Sequence, residues 1–337
     1  MAVLGFEYRE GGIWLPALRL WLDASRAQSS DVRVFVSHAH SDHTARHREI
    51  LAGRATARFM EARLGGGSRR RTHELPWREP QEFETEGCRW SLTLLPAGHI
   101  FGSAMALVRA GSESLLYTGD FKLGPSLTAE GCEPVVADDL IMETTFGRPK
   151  YVFPPREEVV AGLVEFCRVT LREGGVPVLL GYALGKAQEL VALALAAGLP
   201  VAMHPNVARM MKVFRECGGS LPAGDLVEAP STERRVLVCP PGAAWQGMVP
   251  LGVRGRVAMA TGWAMDPGAR YRYRADAAFP LSDHAGFPEL LEMVERVRPS
   301  RVHTLHGFAS EFACRLRERG WDARALSEPD QLELGLA

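Results

Sequence analysis

The sequence predicts an α/β protein with two distinct textures along one chain. Three observations lead there. Up to about residue 153, short apolar runs alternate with turn signals. From about Pro154 to about residue 280, longer amphipathic runs alternate with fully apolar ones, the pattern of helices laid on a parallel sheet. Metal-capable side chains also recur where apolar runs end, and in α/β sheets such loop positions collect the chemistry.

Taken in order, "GIWLPALRLWLDAS", "RVFVSH", "WSLTLLPAGH", "SAMALVRAG", "SLLYTGD" and "DDLIMETTFG" each read as a strand running into a polar loop. "HTARHREILAG" and "TARFMEARLGG" read as short helices between them. "PREEVVAGLVEFCRVTLREGG" has helical spacing and stops at Gly174-Gly175. "VPVLLG", "LPVAMH", "RRVLVCPPG" and "RVAMATGWA" read as buried strands. "GKAQELVALALAAG" and "NVARMMKVFRECGG" read as helices between them. After Phe279 short elements return: "LSDHAGFPELLEMVERVRP", "RVHTLHG" and a helix from about Ser310 to Arg319. "GGGSRRRTH", residues 65–73, reads as an exposed basic loop, and Arg69, Arg70 and Arg71 there suit solvent better than a DNA contact.

Composition narrows the classes. The 337 residues are 46% hydrophobic, enough for one large domain or two ordinary ones. A formal net charge of -1 does not mark a nucleic-acid binder, so any basic surface must be local. Cys88, Cys132, Cys167, Cys217, Cys239 and Cys314 are scattered without a C-x-x-C, which argues for reduced thiols rather than a thiolate zinc site or a disulfide framework. The N-terminus has no basic segment leading into an apolar one. "LVALALAAGLPVAM" falls short of the roughly 20 residues a spanning helix needs. A soluble cytoplasmic protein that does not enter membranes is expected.

The chemistry concentrates in "HAHSDH", residues 38–43. In a tight loop after a strand, His38 and His40 can converge on one cation. A distant third His, His99, leaves one position open, the catalytic arrangement for zinc. Asp42 and His43 must point elsewhere and suit a second metal. Asp120 in "YTGDF" is the candidate shared carboxylate, because Gly119 lets the backbone come close. His306 in "HTLHG" completes the second site. The bland alternative is a solvated His-rich turn, but the chain has only ten His, and this clustering behind a strand speaks against it. Asp23 reads as a support for the metal loop rather than a ligand. His303 lies on the opposite face from His306 if its segment is a strand, and is read as structural.

These motifs resemble the metallo-β-lactamase superfamily: H-x-H-x-D-H at 38–43, then "GH" at 98–99 and "GD" at 119–120. "IMETTFG" with Glu143, "LSDHAGF" with His284 and "HTLHG" with His306 resemble the extra motifs of its β-CASP nucleases. "LPAGHIFGSA", "YTGDFK", "ETTFGRPKY" and "GYALGKAQEL" are similar to the bacterial DNA-ligase-associated exonucleases, relatives of the Artemis-type repair enzymes.

The resemblance implies an αββα sandwich from residues 1–153 and 281–337, and an inserted β-CASP α/β cap at 154–280. It implies two divalent metal ions, Zn foremost, with Mn or Fe possible at the second site, since nitrogen-rich ligation favours zinc. It implies catalytic roles for Asp42 and Asp120, and for Glu143 orienting His284 as the acid near the leaving oxygen, with Asp283 the competitor in that turn. A carboxylate partner keeps a His protonated to higher pH. Substrate would be DNA, single-stranded or with exposed ends, and by resemblance alone an ATP-dependent DNA ligase and a helicase would be partners.

For phosphate contacts, Gly185 and Lys186 at a helix start are candidates, though the P-loop spacing is absent. Arg270 and Arg272, with Arg274, alternate with Tyr271 and Tyr273 and would share one face if extended. Three alternatives to a DNA exonuclease remain: an RNA-processing nuclease, because a His at the third extra motif is common in that branch; a small-molecule hydrolase, which the inserted domain disfavours; and a non-catalytic scaffold, which the full ligand set disfavours.

Overall fold

A computed structural model describes residues 4–9, 11–65, 70–228 and 233–326. Those residues form three sheets and seven helices. The first sheet runs in chain order through Glu7–Arg9, Gly12–Leu15, Leu20–Ala24, Arg33–Phe35, Glu49–Gly53 and Arg71–Leu75. It begins antiparallel and continues parallel from Leu20–Ala24 onward. The second sheet has the order Ala323–Ala325, Arg301–Leu305, Asp139–Glu143, Glu113–Tyr117, Ala104–Ala110, Cys88–Pro96, Gln81–Thr85. The late strand Arg301–Leu305 pairs in parallel with Asp139–Glu143, so chain segments far apart in sequence meet beside Glu143. The third sheet is parallel throughout, with strands from Val176–Leu180 to Ala277–Phe279.

Burial explains the two textures. Leu20, Leu22, Phe35 and Leu51 of the first sheet share one apolar cluster with Leu92, Leu94, Val108 and Tyr117 of the second. The far face of the second sheet is covered by the helices Phe287–Val297 and Ala309–Glu318 through Leu290, Met293, Phe312 and Leu316. The far face of the first sheet packs on Phe59 and Met60 of the helix Arg54–Leu64. That cluster continues without a break into the helices Arg156–Arg172, Lys186–Ala196 and Pro205–Glu216. "VPVLL" and "VLVC" are buried at every position, as parallel strands covered on both faces must be. No helix among the described residues is long and apolar enough to cross a membrane.

Three local expectations are corrected. "GIWLPALRLWLDAS" is two antiparallel strands, because Pro16 starts a short 3-10 turn that ends at a left-handed Arg19. "HTARHREILAG" is not helical. Its last five residues are the strand Glu49–Gly53, held by parallel partners on both sides, and pairing overrides local helical spacing. "ARYRYRAD" is not extended: Ala269–Arg272 form a single helical turn after the left-handed Gly268, so its arginines do not line one face. Of the basic loop, Arg69 lies outside the described residues and Arg71 opens the edge strand Arg71–Leu75.

Gly119 sets how closely the loop carrying Asp120 approaches the metal loop. Its φ is +53°, and a Cβ there would sit 2.6 Å from Ser37 Cβ. Gly119→Ala combines left-handed strain with a buried clash. It should lower unfolding free energy by about 2–3 kcal/mol in a denaturant titration; an unchanged midpoint would show that the two loops are free to part.

Candidate metal centre

The site begins with one buried carboxylate. Asp23 lies near the end of a strand with φ 43°, in the left-handed region that Asp tolerates better than most residues. Its Oδ1 accepts from Ser37 N at 2.8 Å. Its Oδ2 accepts from Ser37 Oγ at 2.6 Å and Tyr117 OH at 2.8 Å, and pairs with His43 Nδ1 at 2.7 Å. The metal loop is thereby fixed to both neighbouring sheets, and His43 is left with Nε2 facing inward.

The other imidazoles are oriented the same way, by the nitrogen that faces away from the centre. His38 Nδ1 meets Ser37 Oγ at 3.0 Å. His40 Nε2 meets the Leu184 carbonyl at 3.0 Å. His99 Nδ1 meets the Asp283 carbonyl at 2.9 Å. The inward nitrogens then converge: His38 Nε2 is 3.0 Å and His99 Nε2 is 3.2 Å from His40 Nδ1. Asp120 Oδ2 lies 3.5 Å from His38 Nε2, 3.8 Å from His99 Nε2 and 3.3 Å from His43 Nε2. Asp120 therefore stands between two donor groups. Asp42, exposed, reaches His43 Nε2 at 3.8 Å, and the ring of His306 is 5.7 Å from that of His43.

This donor set fits divalent ions. Zinc–nitrogen bonds of about 2.0–2.1 Å place two nitrogens of one tetrahedron about 3.3 Å apart. Inward nitrogens of three imidazoles crowded at 3.0–3.2 Å suit a cation at their centre. Burial, then the neighbouring imidazoles, hold His38 well below its ordinary pKa, and burial and His99 bring His40 down to about 4. Burial lowers His99 as well. Their inward lone pairs are thus free to ligate. Burial pushes Asp120 up, but His43 and His284 outweigh it and keep it an anion.

Beside the centre, Glu143 is buried. Its Oε1 accepts from Phe121 N at 3.0 Å and pairs with His284 Nδ1 at 2.9 Å; its Oε2 accepts from Thr145 N at 3.2 Å. Burial lowers the pKa of His284, yet Glu143 and Asp120 more than compensate and raise it to about 10. The imidazolium form is thus favoured, a proton donor aimed at the cleft. The cleft holds about 580 Å³ and is lined by His40, Asp120, His284 and His306.

The expected phosphate contacts fare differently. Lys186 is 2% exposed, and its Nζ is 2.7 Å from Glu189 Oε2 and 3.8 Å from Asp283 Oδ2. It is an internal tie, not a surface cation. Gly185 is needed for close packing, since a Cβ there would lie 2.2 Å from Ile100 Cγ2, and its N–H donates to Gln188 Oε1 at 2.6 Å. Arg270 and Arg272 are absent from the cleft lining. His303 is structural: it meets Asp139 Oδ1 at 3.3 Å and packs edge-on against Phe6. Sequence reasoning misses the carbonyls of Leu184 and Asp283, because backbone acceptors leave no residue-type signal. Ser37 and Tyr117 are findable as polar residues flanking the metal loop and the Gly119-Asp120 turn.

No protein-family model matches the chain. The chain is 50% identical over 326 residues to a probable DNA ligase of Opitutus terrae, a match spanning 96% of this chain and 31% of that protein. It is 28% identical over 292 residues to the 5′ exonuclease Apollo of Gallus gallus, covering 80% of this chain and 57% of Apollo. The chain thus spans about a third and just over half the length of these relatives. Among solved structures, a protein of unknown function from Enterococcus faecalis superposes with a TM-score of 0.56 at 16% identity, over 89% of this chain and 80% of the other, a likeness of fold.

If Asp23 fixes the His43 and Ser37 side of the centre, Asp23→Asn should weaken zinc binding by about 10–100-fold while far-ultraviolet dichroism stays native. Isothermal titration of the metal-stripped protein measures it; equal affinity would mean that the loop holds its shape without the carboxylate.

Proposed function

The chain belongs to the β-CASP branch of the metallo-β-lactamase nucleases, and on that premise we propose that it is a metal-dependent DNA exonuclease of repair. It hydrolyses phosphodiester bonds from exposed single-stranded ends, in the cytoplasm. The two core-sharing sheets with their helices are read as the αββα sandwich, residues 1–153 and 281–337, and the third sheet with its helices as the inserted cap, residues 154–280. His38, His40 and His99 would hold one ion, Asp42, His43 and His306 a second, and Asp120 both; zinc is the ion expected first. When bound, such ions supply a nucleophile at neutral pH and neutralise charge on the phosphoryl oxygens.

The observation that carries the reading is the Glu143–His284 pair at 2.9 Å beside Asp120. A metal site alone would serve many hydrolases. A buried carboxylate that keeps an imidazole protonated at the mouth of the site supplies what an alkoxide leaving group needs. His284 donates the proton to the departing oxygen, and Glu143 holds its ring and charge in place. DNA rather than another ester is favoured by the relatives' names: one is a 5′ exonuclease, and the other, a probable DNA ligase, devotes about a third of its length to the matching segment. That match also supports an ATP-dependent DNA ligase as a working partner; a helicase rests on resemblance alone. An RNA substrate is the second reading, favoured by His306 at the third late motif.

The deciding experiment offers matched single-stranded DNA and RNA, labelled at either end, with and without a 5′ phosphate, to protein of known metal content, with His40→Ala as control. Stepwise mononucleotide release from DNA that is absent from the control is expected, and the label's position gives polarity. Internal cuts confined to RNA would move the assignment to RNA processing. No cleavage of either by metal-loaded protein would rule out a nuclease.

Two mutational outcomes follow from the same geometry. Asp120→Asn should abolish turnover with the fold intact, because one carboxylate serves both donor groups; near-normal activity in that variant excludes a shared bridge. His284→Ala and Glu143→Gln should each cost about 10²–10⁴ in turnover with metal content unchanged, and the double variant should be no worse than either. Loss of a metal equivalent in His284→Ala would make His284 a ligand instead.

A further inference from the structure

We propose that Arg63, Arg209 and Tyr182 form a strand-reception site at the mouth of the cleft, in which the two guanidiniums grip a non-scissile phosphate and the phenol ring stacks on the adjacent base. This rests on the nuclease reading and adds to it where the rest of the strand lies.

The two arginines come from different parts of the fold. Arg63 is in the last turn of the helix Arg54–Leu64, which covers the first sheet. Arg209 is on the helix Pro205–Glu216 of the third-sheet unit. Both are exposed and both line the cleft that contains His40 and Asp120. Arg63 and Arg209 are the arginines of the cleft lining, whereas other basic residues of the fold are ion-paired: Lys186 and Arg156 with Glu189, Lys122 with Glu289, Lys150 with Asp266, Arg148 with Glu311. Among the described residues no carboxylate forms an ion pair with Arg63 or Arg209. Among the described residues the Arg63 side chain donates only to the Ala39 carbonyl, inside the metal loop. Burial lowers the Arg63 pKa and the charge of Arg209 adds to this, against the opposing pull of Asp42. Asp42 is itself claimed by the second metal group. Two like charges facing one cleft, with no acid paired to either, are a favourable seat for an anion. The fork geometry of guanidinium suits phosphate oxygens.

Tyr182 supplies the aromatic surface. It is 61% exposed and lines the same cleft, and among the described residues no hydrogen bond or ring contact engages its side chain. It stands two residues before Leu184, whose carbonyl orients His40, so its place relative to the centre is set by the same loop. Trp263 and Phe146 line the cleft as well. A phosphate grip with an aromatic platform is how single strands are held without sequence preference. A small ester would use neither.

The test measures binding apart from cleavage. Fluorescence anisotropy of a short single-stranded oligodeoxynucleotide with cleavage-resistant phosphorothioate linkages is followed through a salt series on metal-loaded full-length protein, with dichroism as the check on folding. Arg63→Ala/Arg209→Ala should bind roughly tenfold more weakly and lose about 0.7 from the log–log salt slope, the share of the one phosphate the two arginines grip. Tyr182→Ala should weaken binding by about five- to 150-fold with the slope unchanged. Tyr182→Phe should bind like the parent protein, and an abasic oligonucleotide should erase the difference between the parent protein and the Tyr182→Ala variant. An unaltered salt slope in the arginine variant, Tyr182→Phe as weak as Tyr182→Ala, or parent protein that does not bind the strand would each overturn the proposal. Hydrolysis of bis(p-nitrophenyl) phosphate by metal-loaded parent protein reports the phosphodiesterase chemistry separately. Its absence would sink the nuclease reading, whereas a normal rate beside an unchanged salt slope would sink the reception site alone.

Discussion

The geometry of the site depends on one carboxylate that touches no substrate. Asp23 gathers Ser37, His43 and Tyr117 around two oxygens, with all four groups buried. Tyr117 belongs to the second sheet and Ser37 to the loop leaving the first. The carboxylate therefore fixes the spacing of the two sheets where the metal loop begins. Burying a carboxylate is costly unless its lone pairs are used, and here each oxygen accepts from at least one donor. Removing it would leave three polar groups without their acceptor, and the loop would have several arrangements of similar energy instead of one.

A second constraint comes from the other side of the cleft. The acceptors that orient His40 and His99 are carbonyls of Leu184 and Asp283, which lie far along the chain. Asp283 is tied to Lys186, which is tied to Glu189 and through it to Arg156. Burial works against the Lys186 charge, but Asp283 and Glu189 raise its pKa, so the ammonium persists in the interior. One of the three converging imidazoles, His40, therefore takes its ring orientation from the third-sheet unit, and the loop whose carbonyl orients His99 is tied to that unit through Lys186. On the metal reading, ion affinity and the seating of the third-sheet unit would be linked through the His40–Leu184 hydrogen bond.

What can be read from the sequence follows from which interactions leave a mark on residue type. The metal-capable residues are visible because ligation demands His and Asp, and strand ends are where a rigid scaffold can aim them. The parallel third sheet is visible because strands buried on both faces, such as Val176–Leu180 and Val236–Cys239, are apolar throughout. Lys186 misleads because composition cannot distinguish a lysine facing solvent from one enclosed by Glu189 and Asp283, and because its helix start looks open when Gln188 already caps it. "HTARHREILAG" misleads because strand pairing, a long-range interaction, decides against its local spacing. Arg63 and Arg209 cannot be paired in advance, since they lie 146 positions apart (209 less 63) and meet only through packing of two helices from different units.

On the proposed reading, one cleft would hold ions firmly and still admit a long polymer. The groups that need fixed positions are held from behind, in the dry interior, by Asp23, Ser37 and two carbonyls. The groups farther out at the opening, Arg63, Arg209 and Tyr182, are exposed. Precision is needed within a few ångströms of the scissile bond, where a small displacement is costly to catalysis. Beyond it, the proposed strand would be held through phosphate charge and base faces, which tolerate adjustment. Because the mouth is built from both units and the metal ligands are oriented by both, movement of one unit against the other would alter strand grip and ion coordination together.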